Sequence, residues 1–244
     1  MLHVLFCFIV GVTISPAQTR FVEGPGVADT TLQDHHIALT NDALLAALRH
    51  PAPNVRSAAA LVLATRGEKD AVPAILAALA ATTFPGARIG LAYAATELGA
   101  EDGFAALRSM CGDSSWSAVL RVSAAYTMLL GGREDCLSSV LDVVRFHDDD
   151  QATAGALNLL PTFKHVPAEK MREVRDLVRM SLKSDSAWVK RKASYVLRQW
   201  GDSSAIEDLR NALAGESDET VRTVMATDLK AMEDKQVNPA GERK

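Results

Sequence analysis

The stretch that decides the fold runs Arg56-Ser57-Ala58-Ala59-Ala60-Leu61-Val62-Leu63-Ala64-Thr65-Arg66-Gly67-Glu68-Lys69-Asp70. It opens on a base, passes through small and apolar residues, reaches Gly67 eleven positions after the Arg, and closes on Asp70 three later. The same order returns from Arg88 to Asp102 with Gly99, and from Arg121 to Asp135 with Gly132. Arg88 follows Arg56 by 32 residues and Arg121 follows Arg88 by 33. A fixed period in this range marks stacked units, each too small to bury its own apolar face.

Working outward, each unit reads as two helices. A first helix covers about 55–66 and stops at Gly67, which takes the left-handed conformation that helix ends favour. Asp70 is placed to cap a second helix over about 71–81, with Pro73 in its first turn where a missing N–H costs little. The next pairs are about 87–98 with 102–110, and 117–130 with 134–146. A link this short folds the second helix back on the first. The fourth unit is irregular: its first helix spans about 149–160, Ala154 holds the basic place, His165 the Gly place, and Pro161 ends the helix early. The rule recovers with Lys190 and Gly201, over about 187–200 and 204–214, and ends with Arg222 on a helix of about 219–232.

The segments Asn54-Val55-Arg56-Ser57-Ala58-Ala59-Ala60-Leu61 and Gly67-Glu68-Lys69-Asp70-Ala71-Val72-Pro73-Ala74-Ile75-Leu76 resemble HEAT repeats, in particular the short units seen in bilin-lyase-like proteins. Leu120-Arg121-Val122-Ser123-Ala124-Ala125 and Asp218-Glu219-Thr220-Val221-Arg222 echo them. The resemblance spans roughly 40–233. It implies an all-α solenoid of about six antiparallel helix pairs, with the second helix of each pair lining an inner face that binds proteins.

The 244 residues are 48% hydrophobic but only 5% aromatic, so Ala and Leu fill the apolar places, which suits closely packed helices. A net charge of −4 gives no global pull toward nucleic acid or anionic membrane. Leu2 to Ile14 is an uncharged, mostly apolar run followed by Ser15-Pro16-Ala17. It reads as a signal peptide over 1–17, too short to span a bilayer and leaving no span after cleavage, with a periplasmic or secreted destination. Residues 18–39 read as a flexible lead-in with a short turn near 32–37, 40–233 as the solenoid, and 234–244 as a mobile tail. Cys7 leaves with the signal. Cys111 and Cys136 fall at opposite ends of adjacent parallel rods, so two buried thiols are expected in place of a disulfide.

The recurring residues Arg56, Arg88, Arg121, Lys190, Arg222, with Gly67, Gly99, Gly132, Gly201 and Asp70, Asp102, Asp135, read as repeat-forming. Each base is expected to pair with a carboxylate or a helix-end carbonyl, Asp113 and Asp218 standing at suitable distance from Arg121 and Arg222. The candidate partner-binding patch is Trp188, Arg191, Tyr195 and Arg198, the last three sharing one helix face. The run Asp148-Asp149-Asp150 lacks the spaced ligands and Gly turn of a Ca²⁺ loop, and adjacent His35 and His36 lack the spacing of a zinc helix. No nucleophile motif, phosphate loop or Cys-x-x-Cys occurs. The sequence therefore reads as a non-enzymatic scaffold with a protein partner and no catalytic residue, cofactor, metal or nucleic acid. The other readings are a lyase or isomerase like the bilin-lyase relatives, and a nucleic-acid-binding solenoid.

Overall fold

The computed structural model describes residues 25–237. The signal-like segment, the first part of the lead-in and residues 238–244 lie outside the described residues. Thirteen α-helices and no strand occur among the described residues. Six pairs are α1 (Pro25–Asp34) with α2 (Asn41–Ala47), α3 (Pro53–Thr65) with α4 (Val72–Ala81), α5 (Pro85–Glu97) with α6 (Glu101–Gly112), α7 (Ala118–Leu130) with α8 (Leu137–Phe146), α9 (Asp150–Leu159) with α10 (Ala168–Ser181), and α11 (Ala187–Trp200) with α12 (Ile206–Ala214). A single helix, α13 (Glu219–Val237), closes the stack.

The first helices end as their glycines dictate. Gly67, Gly99, Gly132 and Gly201 all adopt positive φ, between 60° and 87°. At each corner the following residue donates back to a carbonyl five positions earlier: Glu68 to Leu63 at 3.1 Å, Ala100 to Ala95 at 2.9 Å, Arg133 to Met128 at 2.9 Å, Asp202 to Leu197 at 3.2 Å. These bonds satisfy carbonyls a helix end would otherwise leave bare.

Four expectations are corrected here. The lead-in is helical over Pro25–Asp34, where Ala28 and Leu32 are fully buried and α1 packs on α3 as one more first helix. The helix at the other end continues to Val237, so 234–237 is not part of a loose tail. None of the three link carboxylates caps a second helix. Asp70 lies in a 3₁₀ turn before α4, Asp102 in the first turn of α6, and Asp135 pairs with Arg108 at 3.0 Å. The backbone caps of α4, α6 and α8 are Ala71, Ala100 and Cys136.

The fourth concerns Cys111 and Cys136, which form a disulfide with Cα atoms 6.1 Å apart. The expected start of α8 at 134 set Cys136 at the far end of its rod. The structure begins α8 at Leu137, leaving a six-residue link, 131–136, that runs back along α6. The Arg108–Asp135 pair and the bond from Arg121 Nε to the Cys111 carbonyl, 3.3 Å, hold that return path.

Each first helix packs directly on the first helices beside it, whereas among second helices only α8 and α10 do so appreciably. Small residues allow the close approach. A Cβ on Gly90 of α5 would lie 2.0 Å from Ser57 Oγ of α3, and one on Gly155 of α9 would lie 3.3 Å from a Val122 methyl of α7. Ala58, Ala59, Ala60, Ala92, Ala94 and Ala95 are fully buried in this layer. The first helices thus form the close-packed layer of the stack and the second helices the looser one.

Candidate functional site

The basic ladder occupies the start of each first helix and ties units together. Arg56 donates from Nη1 to the His50 and Pro51 carbonyls at 2.6 and 3.1 Å, and from Nε to Thr82 Oγ1 at 3.0 Å. It thus joins the end of the preceding second helix to the end of its own. Arg121 joins the Cys111 carbonyl at the end of α6 to the Ser139 carbonyl in the first turn of α8, at 3.3 and 3.4 Å. Arg88 stacks on Trp116, its guanidinium carbon 5.8 Å from the ring centre. Lys190 forms a salt bridge with Glu216, the two side chains 18% and 4% exposed. Arg222 is exposed on α13, the last described helix. Asp113 and Asp218 instead accept backbone N–H bonds, from Ser115 and Val221, both at 2.9 Å.

The irregular unit has a different register from the one expected. Arg88, Arg121 and Lys190 are each followed by buried residues three, four, six and seven later, all apolar except Thr127 after Arg121 and Ser194 after Lys190. In α9 the matching buried set is Ala156, Leu157, Leu159 and Leu160, which puts Thr153 in the basic place, not Ala154. The Thr153 hydroxyl is buried with no hydrogen-bond partner among the described residues.

With the register fixed, the position five residues after each ladder residue holds Leu61, Tyr93, Tyr126, Asn158 and Tyr195 in successive units. Leu61 is buried there, Tyr93 half-buried, and the last three are exposed on the first-helix layer. The chain has three tyrosines and all of them fall there. Tyr126 is 46% exposed, Tyr195 37%, and Leu130, one turn from Tyr126, 47%. Tyr93 is half-buried, and burial, then Glu97, push its phenol above the usual range.

Around Tyr195 the candidate patch divides in two. Arg198 is part of the scaffold: its Nε lies 2.9 Å from Asp228 Oδ1 of α13 and its guanidinium carbon 5.1 Å from the Tyr195 ring. Asp228 is buried and also accepts from Ser194 Oγ at 2.5 Å. Burial pushes its carboxyl up, against the pull of Ser194 and Arg198. Arg191 is exposed, and Lys192 lies 5.7 Å from the Tyr195 ring with its ammonium 3.2 Å from the Asn158 amide oxygen. Neither has a carboxylate partner among the described residues, and burial, then Arg191, hold the Lys192 ammonium below its usual range. Trp188 is half-buried and Trp200 packs on the core. Tyr126 and Tyr93 are absent from the sequence-derived patch, although the five-residue offset from the ladder marks both.

On the second-helix layer, a groove of about 500 Å³ follows α10, lined by Val166, Met171, Arg172, Arg175, Asp176 and Arg179 among others. Arg179 is held by Asp202 at 3.1 Å and by Ser204. Burial alone would raise the Asp202 carboxyl, but hydrogen bonds from Ser204 and Arg179 keep it below its usual range.

The acidic run is built into helix ends. Asp149 caps α9 by accepting the Ala152 N–H at 2.7 Å, His147 contacts Ser181 Oγ at 3.2 Å, and His165 sits by Glu134 at 3.3 Å. His35 packs edge-on against His50, ring centres 5.4 Å apart. Among the described residues no group of three or more His, Cys, Asp or Glu is placed to hold a metal ion. No described helix is long and apolar enough to cross a membrane.

A comparison with the curated proteins found no match to this chain. A family model described as HEAT repeats matches residues 41–128, the span from α2 through most of α7. Residues 41–128 are thus similar to HEAT repeats, and the glycine corners and paired helices carry the same all-α architecture beyond them.

Proposed function

We propose that this chain is an exported, non-enzymatic scaffold that binds a partner protein on the first-helix face. The observation that carries the reading is the division of labour among its polar side chains. The ladder bases Arg56, Arg121 and Lys190 are consumed in ties within the stack, whereas Arg191, Tyr126 and Tyr195 are exposed on the first-helix layer with Lys192 half-buried beside Tyr195. Tyr and Arg are the residue types that dominate binding energy at protein interfaces. Export rests on the apolar run Leu2–Ile14, and the Cys111–Cys136 disulfide favours it, since such bonds persist in oxidising compartments.

Both parts have direct tests. Mass spectrometry of the protein from its native host should find a new N-terminus near Gln18, in the periplasmic or secreted fraction; an intact Met1 on a cytosolic protein defeats export. Crosslinking capture from that fraction should recover the same partner repeatedly with the wild-type chain. An Arg191→Glu/Tyr195→Ala variant that folds normally should lose it. If the variant retains the partner, the first-helix face is not the binding surface.

A further inference from the structure

We propose that the first-helix face of units two to five docks one extended, bipolar segment of a partner protein. Its acidic end meets Arg191 and Lys192, its apolar side chains lie along Tyr126 and Leu130, and its basic end faces Glu97. The inference rests on the scaffold reading and names the chemistry of the partner.

Charge complementarity sets the polarity of the segment. Glu97 is exposed beside Tyr93 at one end of the tyrosine row. At the other end two adjacent cations stand without a carboxylate, while nearby Arg198 and Lys190 each have one. An uncompensated cation half-removed from water is a costly arrangement that an incoming carboxylate relieves. Between these ends the exposed surface is Tyr126 and Leu130, then the amide of Asn158. That is an apolar stretch flanked by opposite charges, not a uniformly basic strip of the kind that follows a phosphate backbone.

Spacing sets the length. Packed helices lie about 8–10 Å apart, so Tyr126 and Tyr195, two helices apart, are separated by roughly 20 Å. An extended chain advances about 3.3 Å per residue, so its carboxylate should fall about six residues from the side chain on Tyr126. The groove along α10 is a poorer seat, because Asp176 interrupts its arginines and Arg179 is already bound by Asp202 and Ser204.

The test is selection from a random dodecapeptide display library on the full chain, followed by fluorescence anisotropy of the enriched peptides. Enriched peptides should carry Asp or Glu about six residues from an aliphatic or aromatic residue, the extended-chain spacing. Arg191→Glu/Lys192→Glu should weaken them about tenfold or more, which corresponds to about 1.4 kcal/mol per tenfold. Exchanging the peptide's acid for Lys should restore binding to that variant, an outcome misfolding cannot produce. Arg172→Glu/Arg175→Glu should leave affinity unchanged.

The proposal is overturned by loss of binding in the α10 variant alone, by absence of charge-swap rescue, or by enrichment of uncharged peptides. Tighter binding of an oligothymidylate that disappears with Arg191→Glu/Lys192→Glu would also overturn it, in favour of nucleic acid. If no peptide is enriched while partner capture succeeds, the segment is wrong and the scaffold stands. If capture fails as well, both fall.

Discussion

At the scale of single residues, the bases Arg56, Arg121 and Lys190 stabilise the stack by tying one helix to the segment packed beside it. Lys190 is the sharpest case, because its partner Glu216 is almost wholly buried. Removing one member of a buried pair strands the other, at a cost of about 3 kcal/mol. Lys190→Met should therefore lower stability by about that much in urea unfolding near neutral pH. The pH dependence has a definite sign. Lys190, then the Asp218 N–H, hold the Glu216 carboxyl below its usual range. The pair's contribution is present above the ordinary carboxylate range and fades as pH falls through the depressed native value. The gap between wild type and variant should shrink from about pH 7 to about pH 3; an unchanged gap would mean the pair does not stabilise. Arg222→Ala should by contrast change stability by less than about 0.5 kcal/mol, since that residue is exposed beyond the last pair. The ladder itself was legible, because base, Gly and Asp recur at fixed local spacing. Its partners were not: Arg56 reaches Thr82, 26 residues away, and only the stacking of units brings them together.

At the scale of elements, the helices with a strong first-helix pattern were legible and the links between them were not. The stop signals are intrinsic to glycine, whereas the start of a second helix depends on where the link can run over its neighbour. That is why Asp135 became Arg108's partner in place of a cap, and why Cys136 met Cys111. Helix α1 escaped notice because only Ala28 and Leu32 of its ten residues are fully buried, too few to mark a period. In unit four the Ala-rich run Ala152-Thr153-Ala154 fits two registers in sequence, and only the exposure of Asn158 and the burial of Leu159 choose between them. The disulfide yields an element-scale prediction. It joins positions 25 apart and pins the link before α8 to the end of α6. A Cys111→Ser/Cys136→Ser variant should lose about 3 kcal/mol, read by denaturant unfolding under non-reducing conditions. Thiol alkylation of the wild type should label neither residue without prior reduction. Rapid labelling of both would show that the bond is not formed in the protein. Gly103→Ala should separate α5 from α6, because the added Cβ would lie 2.7 Å from the Ala92 carbonyl oxygen. Overpacking of this kind costs about 1–3 kcal/mol.

At the scale of the whole molecule, stability should be distributed as it is in any stack whose units touch only their neighbours. Helix α13 has a special place in that arrangement, since it covers α11 and α12 and no described helix packs on its far side. It buries Val221, Met225, Leu229 and Met232, and it supplies Asp228 to Ser194 and Arg198. A chain ending at Ser217 keeps Glu216 for Lys190 but bares the apolar side of α11 and strips Arg198 of its carboxylate. Hydrogen exchange should then show α11 and α12 losing protection while α3 and α5 keep theirs, because coupling decays over successive interfaces. The first-helix face should divide along the same line: an enriched peptide should lose the contribution of Arg191 and Lys192 and keep only weak contact near Tyr126. Uniform loss of protection from α3 to α12 would instead make the molecule one cooperative block, and the face would then stand or fall as a single surface.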